Sequence, residues 1–190
     1  MVDDVDVDTL VSRAKAGDAD AFGALYDIYA ERIYRFVVVR VPQPADGEDL
    51  LQQVFLKVIE SLPRYEQRGL PFGAWLFRIA RNTVIDFGRT RRVAEPLGDE
   101  AGQRADPHEP STILERRADL VEIRSALGEL TAEQRDVIVL RFFAGLTHAE
   151  IGAVLGKREG NVRVIQYRAL GALRRRMVDP VRLAALTDEA

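Results

Sequence analysis

The residues best equipped to do chemistry in this 190-residue chain are basic and polar side chains at helical spacing, just behind a glycine. After Gly156 come Lys157, Arg158, Asn161, Arg163, Val164, Tyr167 and Arg168. From Lys157 to Arg176, seven Lys or Arg face one acid, Glu159. Cationic side chains on one helix face meet phosphates, while the helix N-terminus brings side chains to base edges in a major groove. The whole chain carries a net charge of −3, so any nucleic-acid binding must be local. Val164 is an apolar residue on the polar side, and a thymine methyl group is a natural partner for it.

Three further groups stand upstream. Asp46, Glu48 and Asp49 precede Gln52, Gln53 and Lys57, which leaves a polar stripe beside the apolar Leu51, Val54, Phe55 and Val58, the pattern of a docking face. The first-turn acids also suit a helix dipole. Arg64, Tyr65 and Arg68 lie in a proline-bounded loop, Leu62 to Pro71, where basic groups beside an exposed aromatic would hold a phosphate and stack a base. Arg78, Arg81 and Asn82 fall on a helix from Phe72 to Phe87 that runs into Arg89, Arg91 and Arg92, a second cationic surface. Trp75, Leu76, Ile79, Ala80 and Thr83 form that helix's expected buried side.

Helices must position all of these. Thr147 followed three residues on by Glu150 is a capping box, which starts a helix at His148. Ile151, Val154 and Leu155 give it an apolar stripe, and Gly156 ends it. A second helix follows from Glu159 or Gly160, with Val162, Ile165, Ala169 and Leu173 toward the core. Thr131 and Gln134 repeat the capping logic for a support helix that leads to Gly145. Near the N-terminus, Leu10, Val11 and Ala14 mark one helix. A second, capped by Asp18 or Asp20, keeps its apolar spacing to Val41 and is ended by Pro42-Gln43-Pro44.

Between Val93 and Thr112 the chain turns to Pro, Gly and acids. Residues 1–92 carry 13 basic and 14 acidic side chains, 93–113 carry 1 and 5, and 114–190 carry 13 and 11. The expectation is an all-α protein: a first helical domain over 1–92, a flexible acidic linker over 93–113, a helix-turn-helix domain over 114–178, and a short tail over 179–190 that follows a stop at Asp179-Pro180.

No apolar run approaches the ~18 residues of a spanning helix, and Met1 to Asp8 is acidic where a signal peptide is basic then apolar, which reads as cytoplasmic. With no cysteine and only His108 and His148, neither a disulfide framework, a metal site nor a redox cofactor is expected. Gly152 to Lys157 falls one residue short of a phosphate-loop pattern, Arg158 replaces its Ser or Thr, and no strand precedes it, so no enzyme is expected.

Three motifs in this order resemble the extracytoplasmic-function (ECF) sigma factors of bacterial RNA polymerase, within the sigma-70 family. Asp46 to Phe55 is similar to their core-polymerase-binding region. Phe72 to Asn82 with Asp86 and Arg89 to Arg92 is similar to the region that opens the −10 element, and Leu130 to Arg141 with Gly145 to Met177 to the −35-reading domain. The resemblance implies that Asp49, Gln52 and Gln53 meet the polymerase clamp and that Arg78, Arg81 and Asn82 meet the −10 strand. It also implies that the Arg64 to Pro71 loop captures an extruded base and that Arg158, Asn161, Arg163 and Arg168 contact −35 DNA. Core RNA polymerase and promoter DNA are the implied partners. An anti-sigma factor, which holds many members inactive, is a third candidate.

Two positions depart from the family's pattern. Val164-Ile165 stands where a polar-basic pair is common, which favours readout by apolar contact or shape, and Gln53 replaces an acid, which weakens one clamp contact. A stand-alone helix-turn-helix regulator would explain Leu127 to Met177 equally well. It gives no reason for the basic helix at Asn82 to Arg92 or for the acid-glutamine helix before it.

Overall fold

A computed structural model describes residues 6–66, 70–94 and 111–177, with backbone alone for 92–94, 111–117 and 176–177. Every regular element among them is helical. Arg68, most of the expected linker and the expected tail lie outside the described residues, as do the side chain of Arg92 and the stop at Asp179-Pro180.

The first module holds α1 (Val7–Lys15), α2 (Ala19–Val38), α3 (Pro44–Ser61), a 3-10 turn (Leu62–Arg64) and α4 (Phe72–Ala94). The Asp18 side chain caps α2 by accepting from Asp20 N (3.0 Å) and Ala21 N (3.1 Å). Those N–H groups, with Arg13, hold the Asp18 carboxyl below its ordinary value. Leu25, Ile33, Phe36 and Val37 of α2 face Leu50 and Val54 of α3 and Leu76, Phe77 and Ala80 of α4, all buried. The three-and-four spacing of these residues leaves each helix one apolar side, and burying those sides together fixes the bundle.

Two boundaries differ from expectation. Helix α2 ends at Val38, short of Val41, and α3 begins at Pro44. Pro44 therefore opens a helix instead of only closing one: it occupies the first helical position, whose N–H has no intrahelical acceptor. Asp46 accepts from the Gln43 N–H (3.2 Å) as the third residue of that helix.

The second module holds α5 (Ser111–Gly128), α6 (Ala132–Phe142), α7 (His148–Leu155) and α8 (Glu159–Met177). Both expected capping boxes form: Gln134 N donates to Thr131 Oγ1 (3.3 Å) and Glu150 N to Thr147 Oγ1 (3.2 Å), while Thr131 N and Thr147 N donate in return to Gln134 Oε1 and Glu150 Oε2. Val137, Ile138 and Leu140 of α6, Ile151 and Val154 of α7, and Val162 and Ala169 of α8 make the buried centre. The expected linker span overlaps helix at both ends, since α4 reaches Ala94 and α5 starts at Ser111.

The modules pack together along α4 and α7. No helix among the described residues is long and apolar enough to cross a membrane, and none of their His, Asp or Glu side chains group to hold a metal ion.

Candidate nucleic-acid and polymerase interface

The α7–α8 pair starts from local chemistry. Helix α7 starts at the Thr147 cap and stops at Gly156, whose φ of +66° is left-handed and suits glycine. The turn closes with the Lys157 N–H donating to the Gly152 carbonyl (2.8 Å), and His148 Nε2 meets Gln166 Oε1 (2.7 Å), tying α7 to α8. Inward, α8 buries Val162 and Ala169 and half-buries Ile165 and Leu173. Outward, Arg158, Asn161, Arg163, Val164, Tyr167 and Arg168 are all exposed, Tyr167 at 81% and Val164 at 48%.

That face carries ready cations beside two uncovered apolar groups, an arrangement for phosphate contact and base contact together. Two of its cations have partners within the chain: Arg163 pairs with Glu159 one turn back, and the half-buried Lys157 pairs with Glu133 of α6.

On α3, Glu48, Asp49, Gln52, Gln53 and Lys57 are exposed. Asp46 is not a free acid, since besides capping the helix it lies 3.4 Å from Arg91. Lys57 Nζ reaches Thr83 Oγ1 of α4 at 3.2 Å. The apolar Leu56 (59% exposed) and Ile59 (51%) continue the same helix outward and were not singled out from the sequence. Leu56 carried a signal, since it falls opposite the stripe of Val54, Phe55 and Val58, whereas Ile59 keeps the four-residue spacing from Phe55 and carried none.

Helix α4 presents Arg78, Asn82, Ile85 and Arg89 at three-and-four spacing, all exposed, and Arg64 is exposed at the end of the 3-10 turn. Arg81 is half-buried, because it turns toward the second module.

Tyr65 corrects the sequence reading. Expected as an exposed stacking platform, it is buried at 5% exposure, with its ring against Trp75 (4.7 Å) and Phe72 (5.7 Å). Its hydroxyl donates to the Leu70 carbonyl (2.9 Å), and burial pushes the phenol above its ordinary value. The ring satisfies its polar end within the loop and gives the rest to the core, leaving no face for a base.

Sequence reasoning also missed the seam, leaving out Arg32, Arg40, Arg124 and Asp136 and giving Arg78 and Arg81 a DNA-facing role alone. Asp136 of α6 bridges Arg40 (2.5 Å) and Arg81 (2.6 Å) of the first module. Arg78 donates to the Ala153 carbonyl (2.7 Å) and Arg32 to the Ala144 carbonyl (2.8 Å). In the other direction Arg124 of α5 reaches the Val38 (2.9 Å) and Pro42 (2.6 Å) carbonyls at the C-terminal end of α2. Burial pushes the Arg40 and Arg124 guanidiniums below their ordinary values, opposed for Arg40 by the Asp136 carboxylate. A sequence signal existed for one partner: Arg40 interrupts an apolar run, and a charge buried in such a run comes paired, whereas Asp136 follows Glu133, Gln134 and Arg135 and stands out less.

Two helical modules, one ending in a capped helix-turn-helix and the other exposing an acid-glutamine strip and a basic helix, define a DNA-directed transcription factor of the initiation class. Sequence and structure comparisons place it further. Residues 25–93 match Sigma-70 region 2 and residues 126–175 match Sigma-70, region 4. The chain is 38% identical over 178 residues to the ECF RNA polymerase sigma factor BldN of Streptomyces coelicolor, an alignment covering 91% of this chain and 66% of that protein. It is 32% identical over 184 residues to the ECF RNA polymerase sigma factor SigX of Bacillus subtilis, covering 90% and 94%. The fold is similar to that of CnrH in complex with the cytosolic domain of CnrY, with a TM-score of 0.72 and 28% identity over 90% of this chain and 97% of that one. The chain belongs to the ECF sigma factors, and its function is that of a sigma factor in transcription initiation.

Proposed function

We propose that this sigma factor binds core RNA polymerase through the exposed α3 strip of Glu48, Asp49, Gln52 and Gln53, with Lys57 at its edge. The first module, residues 1–92, then engages the −10 element through Arg64, Arg78, Arg81, Asn82, Arg89, Arg91 and Arg92 and assists melting. The second, residues 114–178, reads the −35 element through Lys157, Arg158, Asn161, Arg163, Val164, Tyr167 and Arg168. The linker, 93–113, tethers the two, so that engaging one element raises the effective concentration for the other.

The observation that carries this reading is the outward face of α8, where exposed cations flank the exposed Val164 and Tyr167 behind a capped helix and a left-handed glycine. The chain supplies positioning and strand capture and has no catalytic step of its own. Unstacking costs a few kcal/mol per step, offset when separated bases and phosphates find protein partners. The site of action is the cytoplasm, where polymerase and promoters are, and an anti-sigma factor that covers these surfaces is the inhibitory partner to seek.

The test is co-elution of the full chain with bacterial core polymerase, comparing wild type with Asp49→Ala/Gln52→Ala. Stoichiometric binding that the double variant weakens is expected. A wild type that ignores core polymerase while gripping duplex DNA alone would replace this reading with that of a stand-alone regulator.

A further inference from the structure

A cavity of about 510 Å³ lies beside the turn from α2 to α3, walled by that turn, by α4, by the end of α5 and by the start of α6. Its lining is one-sided in charge. Arg40, Arg81, Arg89, Arg124 and Arg135 stand against one carboxylate, Asp136, and five cations less one anion leave a surplus of four positive charges. Asp136 is spent on Arg40 and Arg81. Arg124 donates to the Val38 and Pro42 carbonyls, and Arg135 to those of Leu127, Gly128 and Leu130. Neutral acceptors hold those two guanidiniums in place and leave their charge uncompensated. Arg89 is exposed and has no ion pair among the described residues, and the buried Nε of Arg40 has no acceptor among them. The rest of the wall is apolar, with Val41, Val84 and Leu127 buried and Ile85 39% exposed.

Two properties of that lining select a ligand. Guanidiniums take oxyanions, carboxylate or phosphate, through paired N–H donors. A surplus of four charges exceeds what one carboxylate neutralises and suits a chain of phosphates. Apolar side chains beside the cations suit an organic body on that chain, and the volume falls within the ~300–1,000 Å³ of small-molecule clefts. A nucleic-acid strand, by contrast, needs a cationic groove that tracks its backbone over several nucleotides.

We infer that this cavity binds a small polyphosphorylated molecule of nucleotide size, its phosphates among Arg89, Arg124 and Arg135 and its organic body against Val84, Ile85 and Leu127. The inference does not rest on the proposed polymerase and promoter contacts, with which these six residues share Arg89 alone. Val84, Ile85 and Arg89 belong to the first module and Arg124, Leu127 and Arg135 to the second, so one ligand touches both. The chain thereby has an input for a small phosphorylated molecule, apart from the α3 strip and the outer face of α8.

Gly88 supplies the test. It lines the cavity from α4, and a Cβ added there meets nothing within 4 Å, so a side chain enters open space and the helix loses only a glycine. The probes are magnesium-free ATP, pyrophosphate, adenosine and a short single-stranded DNA, each titrated calorimetrically into the full chain at physiological salt. Saturable one-to-one binding of ATP is expected, with pyrophosphate weaker and adenosine silent. Gly88→Glu brings a carboxylate into the cavity and is expected to weaken ATP on the order of tenfold. The equally large but neutral Gly88→Gln is expected to weaken it far less. Arg163→Ala/Arg168→Ala, which removes cations outside the cavity, is expected to leave ATP binding unchanged.

ATP that fails to bind saturably, that binds no tighter than pyrophosphate, or that loses affinity with the α8 pair overturns the inference, the last because it marks general polyanion binding. So does Gly88→Glu with wild-type affinity, or single-stranded DNA that binds where ATP does not. Should Gly88→Glu not fold, Arg89→Gln takes its place, with a loss of ATP affinity expected and an unchanged affinity overturning the inference. Core-polymerase co-elution is read separately, so its failure sinks the sigma-factor reading alone, and absent ATP binding sinks this inference alone.

Discussion

Gly152 accepts, through its carbonyl, the Lys157 N–H that closes the turn into α8. It lies buried in α7, and a Cβ added there would sit 2.6 Å from the Lys157 carbonyl oxygen, a backbone atom that the turn itself holds in place. Gly152→Ala is expected to destabilise the second module by about 1–3 kcal/mol, as overpacking does, measured by urea unfolding of the full chain. Gly160 is the control: nothing lies within 4 Å of its added Cβ. Gly160→Ala is expected to stabilise by up to about 1 kcal/mol, through the lower helix propensity of glycine. Thr147→Ala removes the α7 cap and is expected to cost roughly 1 kcal/mol in the same assay.

Among the elements, α8 exposes both cations and the apolar Val164, and the proposed −35 contact separates their contributions. Arg168 is exposed on the outer face, so Arg168→Ala in the polymerase-bound factor is expected to weaken −35 duplexes evenly across sequences and to reduce the slope of log affinity against log salt by about 1. Val164→Ala is expected to leave that slope alone and relax preference at one base pair, read by competition among single-substitution duplexes. A slope unchanged in Arg168→Ala would remove that residue from the phosphate contacts.

The α7–α8 pair was legible in the sequence because every signal that builds it is local: Thr147 with Glu150, the Ile151–Val154–Leu155 stripe, and Gly156. The beginning of α3 was not, since Pro44 is compatible both with ending one helix and with opening the next, and only Asp46 turning back to the Gln43 N–H settles it. Tyr65 was misplaced for a related reason. Its partners Phe72 and Trp75 lie across a proline-bounded loop, and no spacing rule links an aromatic before such a loop to those after it. The seam was the least legible feature, with Asp136 and Arg40 96 residues apart.

At the scale of the whole molecule, the two modules are joined by polar contacts that each have a definite owner. Arg124 of α5 serves the Val38 carbonyl that ends α2 and the Pro42 carbonyl after it, both in the other module. Arg124→Ala is expected to cost roughly 2 kcal/mol, as for hydrogen bonds from a charged donor. The loss should appear in calorimetry as separation of one transition into two, since it removes a tie between modules more than it weakens either core. A single transition lowered as a whole would instead assign Arg124 to the packing of its own module.

The aromatic cluster of the first module makes that separation visible in the emission of light. Trp75 is the chain's only tryptophan, packed against Tyr65 and Phe72, and residues 111–177 contain a single tyrosine, Tyr167, lying exposed on α8. Tryptophan emission therefore follows the first module alone, while far-ultraviolet dichroism sums the helices of both. Where the two melting curves coincide, the modules unfold as one body, and the gap that opens between them in a seam variant measures, without any attached dye, how far each module's fate has become its own.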